Sequence, residues 1–276
     1  MRIIGRRGKS YNNSCVKNIF SYSSRSYSKE VSRSALRQGI DGPGSIGLGE
    51  ARKLFSLLHV TKLGHFDNTG DIPQFAVPQI AFFGRTNAGK STLISTLLAN
   101  SLPKRQREGS KTPGSTRDIA FYSAGGSRAS KFVLTDIPGY GYGSTPDQRE
   151  MIVQFLSKSL NVLMAYILID ARVGLKSVDM QVAKLLDSNA IRWRLVGTKA
   201  DRLKEVDRST VLHELMNFSV TSHPHLQEQE VFLTSIKITK TKKVSGLDEL
   251  EWSILRSCGI SANEALRNPE FKRAKI

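Results

Sequence analysis

Gln79-Ile-Ala-Phe-Phe-Gly84-Arg-Thr-Asn-Ala-Gly89-Lys90-Ser91-Thr-Leu-Ile-Ser-Thr-Leu97 is the stretch whose reading decides the fold. An apolar run breaks at a glycine, and five residues later Gly-Lys-Ser opens a segment without helix breakers. Gln79 to Phe83 therefore reads as a buried strand and Ser91 to Asn100 as a helix. The intervening spacing fits G-x-x-x-x-G-K-[ST], in the strand–loop–helix context that the motif requires. Glycines let such a loop close on itself. Its backbone N–H groups and the helix N-terminus then converge on an anion. Gly84, Arg85, Thr86, Asn87, Ala88, Gly89, Lys90, Ser91 and Thr92 are the expected phosphate-binding set. Lys90 should reach the β- and γ-phosphates, and the Ser91 hydroxyl should ligate Mg²⁺.

Downstream, strands and helices alternate. Strands are expected at Ile119 to Tyr122, Phe132 to Asp136, Leu163 to Asp170, Ile191 to Thr198 and Val231 to Ser235. Helices are expected at Asp147 to Leu160, Val178 to Ser188, Arg208 to Phe218 and Leu247 to Cys258. That alternation predicts an α/β protein of three layers, a P-loop fold whose mostly parallel six-stranded sheet carries helices on both faces. Upstream, Glu50 to Leu58 reads as a short helix with Leu54, Phe55 and Leu58 on one face, whereas Ile72-Pro73 and Val77-Pro78 read as extended.

Three further segments carry chemistry. In Phe132-Val-Leu-Thr-Asp136-Ile137-Pro138-Gly139 a strand delivers a carboxylate beside the phosphate loop. Asp136 can hold the Mg²⁺ shell and the Gly139 N–H can meet the γ-phosphate. Taken alone, D-x-x-G is an ordinary turn. In Lys111-Thr-Pro-Gly114-Ser115-Thr116 a threonine can grip metal and γ-phosphate and release them on hydrolysis, which makes the loop a switch. Thr116 is the expected sensor and Thr112 the weaker alternative. Lys90, Thr116 and Gly139 are thus the expected catalytic group, and Ser91, Thr116 and Asp136 the expected metal ligands. Finally, Thr198-Lys199-Ala200-Asp201 follows a strand and matches [NT]-K-x-D. Asp201 can accept from N1–H and the 2-amino group of guanine. Adenine lacks both donors and would leave a buried carboxylate unpaired. The Lys199 stem can cover the base. Thr198 replaces the commoner asparagine. Thr234-Ser235-Ile236 stands where a backbone N–H would meet guanine O6.

The 276 residues carry a net charge of +17, with 39% hydrophobic residues. The size suits one α/β domain with an extension rather than two large domains. No apolar run approaches the roughly 20 residues needed to cross a bilayer. Cys15 and Cys258 lie far apart, so neither a disulfide framework nor zinc spacing is present. His223-Pro-His225 reads as a solvated loop. Residues 1–34 hold Arg2, Arg6, Arg7, Lys9, Lys17, Arg25, Lys29 and Arg33 against a single acid, Glu30. This Arg- and Ser-rich composition without a continuous apolar core is that of a mitochondrial targeting leader. The expected organisation is a leader at 1–34, a linker with a short helix at 35–71, the GTPase domain at 72–260 and a basic tail at 261–276. The body stays basic without its leader, which serves either solubility or contact with RNA phosphates.

These motifs together resemble the EngB (YihA) branch of the translation-factor-related GTPases, over about residues 72–258. The strings that carry the resemblance are Gly84-Arg-Thr-Asn-Ala-Gly-Lys-Ser, Ser110-Lys-Thr-Pro-Gly-Ser-Thr-Arg, Asp136-Ile-Pro-Gly-Tyr-Gly-Tyr142, Asp170-Ala-Arg and Thr198-Lys-Ala-Asp. The resemblance implies a GTPase, binding GTP, GDP and Mg²⁺, that helps assemble the large ribosomal subunit. With the leader, the implied place is the mitochondrial matrix. The implied partners are ribosomal RNA and the large-subunit precursor, with no membrane span, no DNA and a monomeric chain. Tyr140 stands where Ras-like enzymes carry a water-orienting glutamine. No side chain presents itself as general base, and slow intrinsic turnover follows. Asn87 matches the position that binds K⁺ in some relatives, although an ordinary loop hydrogen bond is its blander role. The chain departs from the family at Ser123 to Ser130, a lengthened hairpin, and at the basic run Lys237 to Lys243. Two other readings fit parts of the sequence: a constitutive RNA-binding protein with a vestigial nucleotide site, and a P-loop ATPase or kinase, which Asp201 opposes.

Overall fold

A computed structural model describes residues 48–67, 72–98, 118–126, 130–159, 161–223, 230–236 and 245–260. In chain order these form α1 (Leu48–Leu57), β1 (His59–Phe66), β2 (Gln79–Gly84), α2 (Lys90–Leu97), β3 (Ile119–Gly125), β4 (Ser130–Asp136) and α3 (Pro146–Lys158). There follow β5 (Val162–Asp170), α4 (Ser177–Ser188), β6 (Arg192–Thr198), a 3₁₀ turn (Ala200–Arg202), α5 (Glu205–Ser222), β7 (Val231–Leu233) and α6 (Leu247–Ser257).

One sheet runs β1-β3-β4-β2-β5-β6-β7. β3 is antiparallel to both its neighbours, and the pairings from β4 through β7 are parallel. The α/β class and the mostly parallel sheet are as expected, but the sheet has seven strands rather than six. The additional strand is β1, inside the stretch assigned to a linker. Its residues His59-Val-Thr-Lys-Leu-Gly-His-Phe66 lack the alternation of a half-buried strand, because only Val60 and Phe66 are buried. Its pairing with β3 also shifts register between Lys62 and Gly64. A bulge of that kind breaks the period of two by which strands are recognised. The short helix expected at Glu50 to Leu58 is α1, with Leu54, Phe55 and Leu58 buried as anticipated.

The central strands are buried on both faces, and alternation sorts their side chains. Ile80 and Phe82 of β2, with Tyr166 and Leu168 of β5, meet α1, α2 and α6. Ala81 and Phe83, with Ile167 and Ile169, meet α3, α4 and α5. This is the three-layer arrangement. α1 is fastened on one side by Phe55 against Phe132, ring centroids 6.3 Å apart, and by an Arg52–Asp248 pair at 2.9 Å. α3 begins with a capping box in which Thr145 and Gln148 exchange side chain and backbone bonds.

What matters for the site is where the parallel strands end. Phe82 lies opposite Asp136, Gly84 opposite Leu168, Asp170 opposite Thr198, and Gly197 opposite Leu233. The carboxyl ends of β4, β2, β5, β6 and β7 therefore share one edge, where open α/β sheets bind their ligands.

Candidate guanine-nucleotide site

The loop after β2 is wound as an anion cradle. Gly84, Asn87 and Gly89 all have positive φ (157°, 66° and 92°), and the Ala88 N–H donates to the Arg85 carbonyl at 2.9 Å. Gly89 caps α2, so the dipole of that helix points into the loop. A Cβ on Gly84 would stand 2.8 Å from the Leu168 carbonyl oxygen, which explains the first glycine of the motif. Lys90 is buried and donates from Nζ to the carbonyls of Gly84, at 2.8 Å, and Arg85, at 3.2 Å. Burial pushes its pKa down to about 8, against the pull of Asp136. A bound phosphate would favour the charged ammonium again. Thr92 lies exposed on the first turn of α2.

At the end of β4, Asp136 is buried and accepts from the Ser91 hydroxyl through Oδ2 at 2.8 Å. Burial raises its pKa, with Lys90, Ser91 and Lys62 working in the opposite direction. Its Oδ1 is buried without a hydrogen-bond partner. A carboxylate with one unsatisfied oxygen beside a serine hydroxyl suits a hard cation such as Mg²⁺, which binds oxygen donors and keeps several waters. Among the described residues no three His, Cys, Asp or Glu gather to hold a metal by themselves, so the ion would depend on hydroxyl, water and phosphate oxygens. Gly114, Ser115 and Thr116, with Thr112, lie outside the described residues.

Ile137, Pro138 and Gly139 are buried and packed on the phosphate loop. The Ile137 N–H donates to Phe82 and the Thr86 N–H to Tyr140, both at 3.2 Å, and the Tyr140 N–H donates to Gly84 at 3.4 Å. A Cβ on Gly139 would fall 2.8 Å from Thr86 Cα and 2.9 Å from its nitrogen, so only glycine allows this approach. Tyr140 turns inward: its ring is buried and its hydroxyl donates to Asp179 Oδ1 at 2.9 Å. Burial, then Asp179, raises the phenol pKa well above its ordinary range.

The guanine motif is bound to the phosphate loop rather than merely near it. Thr198, fully buried, donates to the Ala88 carbonyl at 2.6 Å and lies 3.2 Å from that of Ile169. The threonine that stands for the commoner asparagine thus links loop to loop. Lys199, in the left-handed region at φ 59°, reaches across to the Asn87 carbonyl at 2.6 Å and to Asp170 at 2.9 Å. Asp170 also receives the guanidinium of Arg172 at 2.7 Å. Partial burial works against its charge, yet the bonds from Arg172 and Lys199 hold its pKa well below the carboxylate range. Asp201 lies half-buried in the 3₁₀ turn. Ala200 donates to the Thr234 carbonyl at 3.1 Å, and Thr234 returns its N–H to Gly197 at 2.7 Å. Ser235 exchanges backbone bonds with Ser245. Of the trio Thr234, Ser235 and Ile236, only Ile236 has an N–H with no internal partner among the described residues.

Two site residues escaped the sequence reading. Asp179 is hidden in an ordinary amphipathic helix; Gly246, at φ 73°, packs against the backbone of Leu233. Only the glycine before a helical pattern signalled the second, and nothing signalled the first.

The chain is similar in sequence to known GTP-binding proteins. A family described as 50S ribosome-binding GTPase matches residues 79–199. The chain is 34% identical to an EngB GTP-binding protein of Ruegeria sp. over 200 residues, 71% of this chain and 88% of that one. It is 39% identical to an EngB protein of Rickettsia bellii over 155 residues, 54% of this chain and 69% of the other. A solved GTP-binding protein engB aligns with 65% of this chain and 98% of its own, at 19% identity and a TM-score of 0.41.

Proposed function

This chain belongs to the EngB family of GTP-binding proteins, GTP-hydrolysing enzymes, and we propose that it serves as an assembly factor for the large subunit of the mitochondrial ribosome. The observation that carries the site assignment is the convergence of three loops. Lys199 and Thr198 of the purine loop grip Asn87 and Ala88 of the phosphate loop, whose Ser91 grips Asp136 of the metal loop. A nucleotide laid across them meets all three at once.

In this reading Lys90 leaves its two carbonyl partners for the β- and γ-phosphates. Asp201 accepts from the guanine edge, the Lys199 stem covers the base, and Ile236 offers an N–H to O6. Ser91 and Asp136 would hold Mg²⁺, with Thr116 the ligand expected from the sequence, and the ion would supply positive charge against the phosphates. Gly139 supplies an N–H to the γ-phosphate. Tyr140 is turned inward, with its hydroxyl on Asp179 rather than offered to an attacking water. Catalysis then rests on positioned charge and on a partner that completes the site. K⁺ belongs to the same proposal, through the exposed side chain of Asn87. Exchange of K⁺ for Na⁺ should slow hydrolysis several-fold.

The large-subunit partner is supported by the matched family's description and by the basic chain, whose +17 charge suits ribosomal RNA. The mitochondrial placement is supported by the composition of residues 1–34. The domain division proposed is leader, α1 and β1 joined to the GTPase body, and a basic tail from 261. No helix among the described residues is long and apolar enough to cross a membrane. The test is depletion followed by gradient profiling of mitochondrial ribosomal particles. The expected result is a selective large-subunit defect, with co-sedimentation that depends on GTP rather than GDP. Association that ignores the nucleotide would favour a constitutive RNA-binding protein instead. A protein tagged at its C-terminus that stayed cytosolic with Met1 retained would remove the mitochondrial part.

A further inference from the structure

Asp179 occupies the first turn of α4, a helix given no part in nucleotide binding, and is 1% exposed. Its two oxygens gather groups from three places. Oδ1 accepts from the Tyr140 hydroxyl at 2.9 Å. Oδ2 accepts from the Lys176 N–H at 2.9 Å, closing the helix cap, and lies 3.2 Å from Arg85 Nε. The same Arg85 donates from its other end to the Gly174 carbonyl at 2.7 Å. One buried carboxylate therefore ties a phosphate-loop residue and the residue after the D-x-x-G glycine to the rim of α4.

Packing alone does not account for this arrangement. Burial raises the pKa of Asp179 even with Arg85 beside it, so the folded protein bears a desolvation cost there. A phenylalanine at 140 and an apolar residue at 179 would fill the space without that cost. The contact does fix one backbone segment. Tyr140 is the last buried residue before Gly141, at φ 85°, carries the chain outward to a fully exposed Tyr142, which Gly143 follows at φ 81°. Just before it, Gly139 lies against Thr86.

We propose that Asp179 is a positioning residue of the hydrolytic site, which acts through Tyr140 to hold Gly139 on the phosphate loop in readiness for a γ-phosphate. This deepens, and rests on, the reading of Gly139 as a γ-phosphate donor. A diphosphate does not reach that donor, so the latch distinguishes the two nucleotides: it pre-organises the triphosphate site and leaves the diphosphate site alone. Tyr140 and Asp179 act as one unit through one bond, and their substitutions must then be non-additive.

Tyr140→Phe removes one hydroxyl and keeps the buried ring. Asp179→Ala removes both the acceptor for Tyr140 and the charge facing Arg85. Full-length protein carrying each change, and both, is titrated with fluorescent GDP and with a non-hydrolysable GTP analogue. Single-turnover hydrolysis and thermal melting are measured alongside. For Tyr140→Phe the expected result is GDP affinity within about twofold of the parent, with triphosphate affinity and hydrolysis each lowered about tenfold, the size of one bond to a charged group. The double variant should lose little more than Tyr140→Phe. Equal losses for both nucleotides that track the melting temperature would reduce the contact to a structural one and overturn the proposal. Unchanged triphosphate affinity and hydrolysis would do the same. Parent protein that binds neither nucleotide would instead sink the guanine-nucleotide reading, a failure visible before any variant is made.

Discussion

Replacing Gly246 with alanine should damage guanine-nucleotide binding from a position that touches no nucleotide. Gly246 caps α6 in the left-handed region at φ 73°, which costs an alanine about 1–2 kcal/mol. The added Cβ would also stand 2.0 Å from the Leu233 carbonyl oxygen, 2.8 Å from its carbon and 3.3 Å from Thr234 Cα. These are backbone atoms, so no side chain can swing aside and the chain itself must move by about an ångström. Overpacking of that kind costs roughly 1–3 kcal/mol, for a total of about 2–5 kcal/mol. Spread over a domain of this size, that corresponds to a fall in Tm of roughly 5–20 °C. The displaced atoms belong to the segment that accepts from Ala200 and donates to Gly197, so the shift passes directly into the Asp201 turn. Fluorescent GDP titration should show affinity down by about tenfold or more, at the scale of one disturbed buried bond to the base. Gly259→Ala is the control: its φ of 69° is equally unusual, but nothing lies within 4 Å of its Cβ. It should lose only the backbone term and keep full GDP affinity. A Gly246→Ala protein that melts and binds like Gly259→Ala would refute the reasoning.

Further outcomes follow from the same geometry. Asp201→Asn should exchange guanine for xanthine preference, read as competition between GTP and XTP for a fluorescent nucleotide; unchanged GTP selectivity would place the base elsewhere. Lys90→Ala should abolish measurable nucleotide binding, since a buried cation is lost from the phosphate cradle, and wild-type affinity in that variant would refute the phosphate-loop assignment. Ser91→Ala should bind nucleotide with its Mg²⁺ dependence gone, measured by titration with and without a chelator. Glu251 is buried on α6 with Oε2 unpartnered, and burial is the main cause that pushes its pKa up to about 7, with Arg52 opposing and Asp248 assisting. A carboxyl with a folded pKa above its unfolded value is stabilising below about pH 4.5, and that contribution is lost as pH rises through about 7. Glu251→Gln should therefore raise Tm at pH 8, by an amount equivalent to no more than roughly 3 kcal/mol, and flatten the melting profile between pH 5 and 8.

The sequence by itself determined the order of strands and helices from Gln79 onward and the identity of the three converging loops. Both are local matters. Apolar runs such as Val162–Asp170 declare buried strands, and the fixed spacing from Gly84 to Ser91, or from Thr198 to Asp201, is set by the reach of one loop around one ligand. Tertiary structure alone decided the rest. β1 became a strand because the free edge of β3 accepted it, across a bulge that erased its periodicity. Thr198 proved to be a fastening between loops because Ala88, distant in the chain, was folded beneath it. Asp179 and Gly246 acquired their roles from Tyr140 and Leu233, contacts made only once helices lie on the sheet. A motif is legible when its partner is a phosphate or a base of fixed shape; it is silent when its partner is another part of the chain, whose position the fold must first supply.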